Sequence, residues 1–235
     1  MGYSNLNIQK VPAINKIFRQ KNSNFSYDQK HIIEAHKKMI NDVDKNYGKI
    51  IDKWADVFQI DKGVIISFIC TESGGKNAPA NRFDATGLMQ VTPNTVYEVI
   101  TKWNNMVKVP LSTSTKSFFN TKVSTTNKWS SNRTPSSAET QQILSALSDV
   151  EYNIAIGTAT IRWMLEAFNK IGSGTLDKVM VAYNAGFYGT RNIIKNQTIQ
   201  EIESNTKLQK ETRAYILKML GVHGFMDLYY NVMNK

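Results

Sequence analysis

A single cysteine, Cys70, leaves this chain no partner for an intramolecular disulfide and no means of building a cysteine-rich zinc site. It lies in Val64-Ile65-Ile66-Ser67-Phe68-Ile69-Cys70, the most apolar run of the sequence, where a thiol is a buried packing group rather than a nucleophile. Histidine is nearly as scarce. His31 and His36 miss the i, i+4 spacing that places two ligands on one helix face, and no His-Glu-x-x-His pattern surrounds them or His223. Both read as helix-surface residues, and neither a metal nor an organic cofactor is expected. No apolar segment approaches the roughly 18 residues that span a bilayer. The start, Met1-Gly2-Tyr3-Ser4-Asn5-Leu6-Asn7, lacks the basic and apolar regions of a secretory leader. The chain is therefore expected to be made without a leader and to reach any extracytoplasmic target by another route.

Positive charge is in excess. Twenty-nine Lys and Arg against 19 Asp and Glu give a net +10, which favours a polyanionic partner. No cluster of Lys and Arg interleaved with aromatics is present, which argues against nucleic acid and leaves an anionic envelope or membrane surface. The Lys-rich stretch 102–128 and the N-terminal arm are the places where such adhesion would sit.

Strand alternation of any length is also missing, and the chain reads as mainly α, with room for a small β-hairpin inside 76–92 or 110–135. Residues 1–25 are weakly patterned. Apolar stripes predict helices over Tyr27–Lys45 and Tyr47–Phe58. Asp61 is a suitable N-cap for a third helix, through Val64–Cys70 to Glu72, which Gly74-Gly75 would end. Further helices are predicted over Asn94–Trp103, Asp149–Lys170, Leu176–Ala185, Ile199–Lys207 and Glu211–Leu220. Ser, Thr, Asn and Lys dominate 110–142, where apolar spacing is lost, so a long loop or insertion is expected. These readings divide the chain into an N-terminal helical arm, 1–46, and a domain over 47–235 with an insertion at about 104–147.

Glu72 is the candidate for chemistry. It stands at the edge of the apolar helix in Cys70-Thr71-Glu72-Ser73-Gly74-Gly75, where burial would raise its pKa toward the working pH, as a proton donor requires. Alone, a helix-terminal Glu more often faces water. Two later segments change that balance: Gly87-Leu88-Met89-Gln90-Val91-Thr92-Pro93 and Ala182-Tyr183-Asn184-Ala185-Gly186.

With Glu72-Ser73-Gly74-Gly75, in this order and at this spacing on a helical scaffold, these segments resemble the soluble lytic transglycosylases (Slt type) of lysozyme-like fold. Asn153-Ile154-Ala155-Ile156-Gly157 and Glu211-Thr212-Arg213-Ala214-Tyr215-Ile216 are similar to two further helices of that family. The likeness spans roughly Tyr47 to Leu220, interrupted between Trp103 and Leu147. It implies a goose-type lysozyme or lytic transglycosylase fold, a monomer, and peptidoglycan glycan strands as the partner. It also implies that Glu72 acts as acid and then base on the MurNAc-GlcNAc β-1,4 bond, leaving a 1,6-anhydromuramoyl end without consuming water.

By the same resemblance Gln90 would hydrogen-bond the sugar, Met89 would line the cleft wall, and Tyr183 and Asn184 would sit opposite Glu72 and orient its carboxyl. Tyr215 is a weaker candidate for the same pocket. Goose-type lysozymes carry an Asp where this chain has Thr92, which favours transglycosylation, although Asp84 keeps a hydrolase reading open. A virion or secretion-machine assembly protein that keeps the fold without the activity is the other alternative. The Lys/Asn/Ile-rich composition suggests a bacteriophage enzyme, held in the host cytoplasm or the virion before it reaches the wall, with a trimmed bacterial enzyme as runner-up.

Overall fold

A computed structural model describes residues 30–107, 111–123, 134–221 and 223–233. The expected lead-in over 1–25 lies outside them. Helix α1 (Lys30–Phe58) is one continuous element, not the two predicted on either side of Asn46. The reason is its stripe: Val43, Tyr47, Ile51, Trp54 and Phe58 continue one apolar face through the expected break, and packing of that face outweighs the helix cost of Gly48. The helix also runs unbroken through the proposed arm–domain boundary at 46/47.

Helix α2 (Lys62–Ser73) begins where expected, with the Asp61 side chain accepting from the backbone N–H of Gly63. Every residue from Gly63 to Thr71 is buried, so α2 is a core helix on all its faces rather than an amphipathic one. Helix α3 (Pro93–Met106) is capped by Thr92. Between α2 and α3 the backbone pairs only at a single antiparallel bridge, Thr86 with Val91, in place of a hairpin.

The span 110–142, expected as a long loop, is partly helical. It contains α4 (Thr113–Lys122), and α5 (Ser137–Leu147) begins within it. Helix α4 lacks an apolar stripe because two adjacent rings dock it: Phe118 and Phe119 lie 4.7 and 5.9 Å from the Trp54 ring. Helix α5 opens with a capping box between Ser136 and Glu139, a signal present in the sequence.

Helix α6 (Val150–Asn169) forms the centre, buried from Tyr152 to Phe168 and packed against α1, α3 and α5. It contains an internal ion pair, Arg162 Nη2 to Glu166 Oε1 at 2.7 Å, and Arg162 also donates to the carbonyl of Phe58 at the end of α1. There follow α7 (Leu176–Ala185), α8 (Phe187–Ile194), α9 (Ile199–Ser204) and α10 (Lys210–Leu220). Helix α8 was not predicted. The chain ends its described part with a turn, Phe225–Asp227, and a π-helical segment, Leu228–Met233. That segment brings Tyr230 onto Asp61 and packs both Tyr229 and Tyr230 over Gly63, closing the start of α2. His36, expected on the surface, is half-buried, its ring 4.4 Å from that of Phe225. No helix among the described residues is long and apolar enough to cross a membrane.

Two glycines in helices give opposite expectations. A Cβ on Gly157 in α6 would lie 2.8 Å from Cβ of Met89, in a core with no room to yield. Gly157→Ala should therefore destabilise the protein by about 1–3 kcal/mol. Gly189 in α8 has open space around the same position, so Gly189→Ala should be neutral or stabilise by about 0.4–1 kcal/mol. Urea denaturation of both variants checks the pair, and equal effects would contradict the packing described.

Candidate active site

Glu72 reaches its position because α2 cannot continue beyond it. Gly74 takes the left-handed conformation, φ 64°, that ends the helix one turn after Cys70 and leaves Glu72 in the last turn. The side chain is half-buried, and Tyr215 of α10 donates a hydrogen bond of 2.7 Å from its hydroxyl to Oε1. Burial pushes the Glu72 carboxyl up to about 7. The Tyr215 hydrogen bond and the Lys218 ammonium pull it down, and the Glu211 carboxylate pushes it up. Lys218 donates to the backbone carbonyl of Thr71 at 3.0 Å, and its own pKa is lowered by burial. The neighbouring thiol of Cys70 is pushed by burial up to about 12, so it is inert as a nucleophile.

The second predicted segment forms a tight loop beside this carboxyl. Gly87 adopts φ 79°, and a Cβ there would fall on Asn153. Asn153 of α6 holds the loop with two hydrogen bonds, accepting from the N–H of Met89 at 2.8 Å and donating to the carbonyl of Thr86 at 2.8 Å, and donates a third to the carbonyl of Leu147 at the end of α5 at 3.0 Å. Gln90 sits at the end of the loop in left-handed conformation, φ 46°, with Nε2 donating to the Gly87 carbonyl and Oε1 accepting from Asn81 at 3.3 Å. Met89 does not line a wall. Its side chain is fully buried against Gly157, and its backbone carbonyl is the part used.

That carbonyl accepts from the hydroxyl of Tyr183 at 2.8 Å. Tyr183 therefore braces the loop, with its ring edge-on to Phe68 of α2 at 4.9 Å, and it does not hold the Glu72 carboxyl. It still lies near enough for the Glu72 charge to raise its pKa, which burial already places well above the ordinary value. Asn184 likewise turns to another partner, accepting from Thr212 of α10 at 2.8 Å. The contact expected of Tyr183 and Asn184 is made by Tyr215. Thr212, Tyr215 and Lys218 follow one another at i+3 spacing, so a single face of α10 addresses Asn184, Glu72 and the Thr71 carbonyl. Lys218 and Thr212 were not singled out in the sequence, although their spacing from Tyr215 was a readable signal.

Asp84, the other acid considered, is exposed at a left-handed position, φ 60°, in the 81–85 turn. Among the described residues no group of three His, Cys, Asp or Glu side chains could hold a metal ion.

The raised pKa has a consequence for stability. Folding raises the affinity of Glu72 for its proton, so its contribution is full below about 4.5 and is lost as pH rises through about 7. Near pH 8 the fold carries a poorly solvated carboxylate, and Glu72→Gln should be more stable than the wild type by on the order of 1–3 kcal/mol. Near pH 4 the difference should vanish. Denaturation at the two pH values checks the sign, and a difference that does not change with pH would contradict the burial of the charge. Tyr215→Phe removes a donor to the carboxylate and should raise the Glu72 pKa further, as read by NMR titration.

The family described as Transglycosylase SLT domain matches this chain over residues 49–127 and 123–206. The matched span includes Glu72, the Gly87–Val91 loop, the Asn153–Gly157 turns of α6, and Tyr183-Asn184; Tyr215 lies beyond it. No curated protein matches the chain closely enough to count as a relative. The all-helical architecture and a match across most of the sequence place it plainly: this chain belongs to the transglycosylase SLT domain family, with the lysozyme-like fold and the peptidoglycan-directed lytic transglycosylase activity that membership implies.

Proposed function

We propose that this protein cleaves the MurNAc-GlcNAc β-1,4 bond of peptidoglycan without water, with Glu72 as the only acid–base residue. The observation that carries the reading is the state of that carboxyl: half-buried, raised to about 7, and held through one oxygen by Tyr215. A group poised near neutrality can give a proton and take one back at comparable cost.

In the first step protonated Glu72 donates to the glycosidic oxygen. The Tyr215 hydroxyl occupies Oε1, so the transferable proton is carried by Oε2. The C1–O bond breaks and the GlcNAc hydroxyl departs with that proton. In the second step the Glu72 carboxylate removes the proton from the muramoyl C6 hydroxyl, whose oxygen bonds to C1 and closes the 1,6-anhydro ring. Glu72 ends protonated, as it began, and no water enters. Tyr215 and Lys218 both favour the carboxylate over the acid, and so stabilise the enzyme between the two steps. Gln90, fixed by Asn81 and the Gly87 carbonyl, is the group we assign to the sugar, while Tyr183, Asn184 and Met89 hold the walls that present it.

A hydrolase would need a second acid to activate water on the opposite face of the sugar. Asp84 is exposed on its turn, and the charges that bear on Glu72 are those of Lys218 and Glu211. Glu211 acts as a like charge and reinforces the acid form. The net positive charge fits adhesion to an anionic envelope, and the Lys/Asn/Ile-rich composition fits a phage-encoded enzyme.

Glu72→Gln keeps shape and removes the acid. Clearing of a peptidoglycan suspension should slow by about 10²–10⁴-fold. Because the protonated form starts the reaction, wild-type activity should fall as pH rises through about 7. Clearing by Glu72→Gln at the wild-type rate would overturn the assignment.

A further inference from the structure

Among the described residues, four large hydrophobic side chains are exposed: Phe83, Ile171, Tyr188 and Val232. The two aromatic ones are linked to segments of the site: Phe83 stands in the turn whose Asn81 side chain bonds Gln90, Tyr188 follows closely after Asn184 in the sequence, and each has a guanidinium over its ring. We propose that Phe83 with Arg82, and Tyr188 with Arg191 and Lys102, are two platforms that bind the same peptidoglycan strand on either side of the cleavage point. The rings would stack on sugar faces, and the cations would take the carboxylates of the stem peptides. The inference rests on the reading of Glu72 given above and extends it to how the polymer is held.

Phe83 is 67% exposed, yet its loop is built rather than loose. Asn81 Oδ1 accepts from the N–H groups of Phe83 at 2.8 Å and Ala85 at 3.2 Å, and the Asn81 N–H donates to the Ala85 carbonyl. Asp84 accepts a left-handed conformation, φ 60°, to close the turn. The same Asn81 side chain donates to Gln90, so one residue both displays the ring and fixes the amide assigned to the sugar. The turn thus holds the phenyl ring out in water by its own hydrogen bonds. Arg82 lies 4.6 Å from the ring centroid.

Tyr188 is 45% exposed and equally pre-organised. Lys102 donates to its hydroxyl at 2.8 Å and is itself paired with Glu98 at 2.8 Å. Arg191 lies 5.1 Å from its ring centroid, within cation–π range. The ring belongs to α8, which begins directly after Asn184-Ala185-Gly186, and its partner Lys102 belongs to α3, which begins directly after Gln90-Val91-Thr92. Tyr188 therefore joins the first turn of α8 to α3, two helices that each start beside a segment of the site in the sequence.

The ligand chemistry follows from this pairing. A pyranose ring offers an apolar C–H face to an aromatic ring, and two such rings in fixed positions favour an extended saccharide over a small one. Stem peptides carry carboxylates, the groups that guanidinium forks bind. An uncharged glycan would use the rings and leave Arg82 and Arg191 idle.

Co-sedimentation with purified sacculi, in the inactive Glu72→Gln background, tests the platforms. Phe83→Ala with Tyr188→Ala should bind roughly tenfold more weakly, while Phe83→Trp with Tyr188→Phe should bind as the parent does. Arg82→Gln with Arg191→Gln should lose affinity for intact sacculi but not for strands stripped of their stems by an amidase. The altered side chains are exposed or half-buried, and an unchanged thermal midpoint verifies that the variants fold. A double alanine variant that binds within about twofold of the parent, in a protein whose Glu72→Gln form is inactive, overturns the platforms and leaves the acid–base reading standing. Clearing that survives Glu72→Gln, with binding still lost on removing the rings, overturns the acid–base reading and leaves the platforms.

Discussion

The site depends on one constraint: a carboxyl at the end of a helix buried on all sides, met there by a single phenol. Helix α2 is buried from Gly63 to Thr71, so Glu72 is drawn to the boundary of the core and cannot be fully hydrated. That placement raises its pKa, and the Tyr215 hydrogen bond limits the rise to about 7. Deeper burial without a donor would make an acid unable to ionise between steps. Full exposure would make a carboxylate with no proton to give. The two effects oppose each other on the same group, and the balance suits a residue that changes role within one reaction.

The surroundings are arranged so that this balance can hold. Helix α6 is the fixed centre, and from it Asn153 secures the Gly87–Val91 loop with two hydrogen bonds and the end of α5 with a third, while Gly157 lets Met89 pack close. Tyr183 ties that loop to α7, and Asn184 ties α7 to α10 through Thr212. Helix α10 in turn presents Tyr215 and Lys218 to the end of α2. The chain of contacts returns to Glu72, so the polar groups of the site position one another through backbone and side-chain hydrogen bonds. The C-terminal tyrosines cover the opposite end of α2, where Tyr230 reaches Asp61, and hold the helix from its start.

Elements with strong local signals were legible in the sequence. Asp61 capping α2, Gly74 ending it, and helices α6, α7 and α10 fall within a residue or two of their expected limits. The misses share a physical cause, which is that contacts distant in sequence decided them. Helix α1 runs through Gly48 because its apolar face is buried against α2 and α6. Helix α4 exists because Phe118 and Phe119 reach the Trp54 cluster, and two adjacent rings leave no period to read. At the site the residue types were visible, but the pairing was not. Tyr183 and Tyr215 are both tyrosines near an acid, and only the fold decides that Tyr215 takes the carboxyl and Tyr183 takes the Met89 carbonyl.

The central claim is that one carboxylate does the work of two and that the muramoyl hydroxyl replaces water. Mass spectrometry of the muropeptides released from purified sacculi by the wild-type protein tests it most directly. The account predicts 1,6-anhydromuramoyl ends and no incorporation of oxygen from isotopically labelled water. Reducing muramoyl ends carrying the solvent label would contradict it.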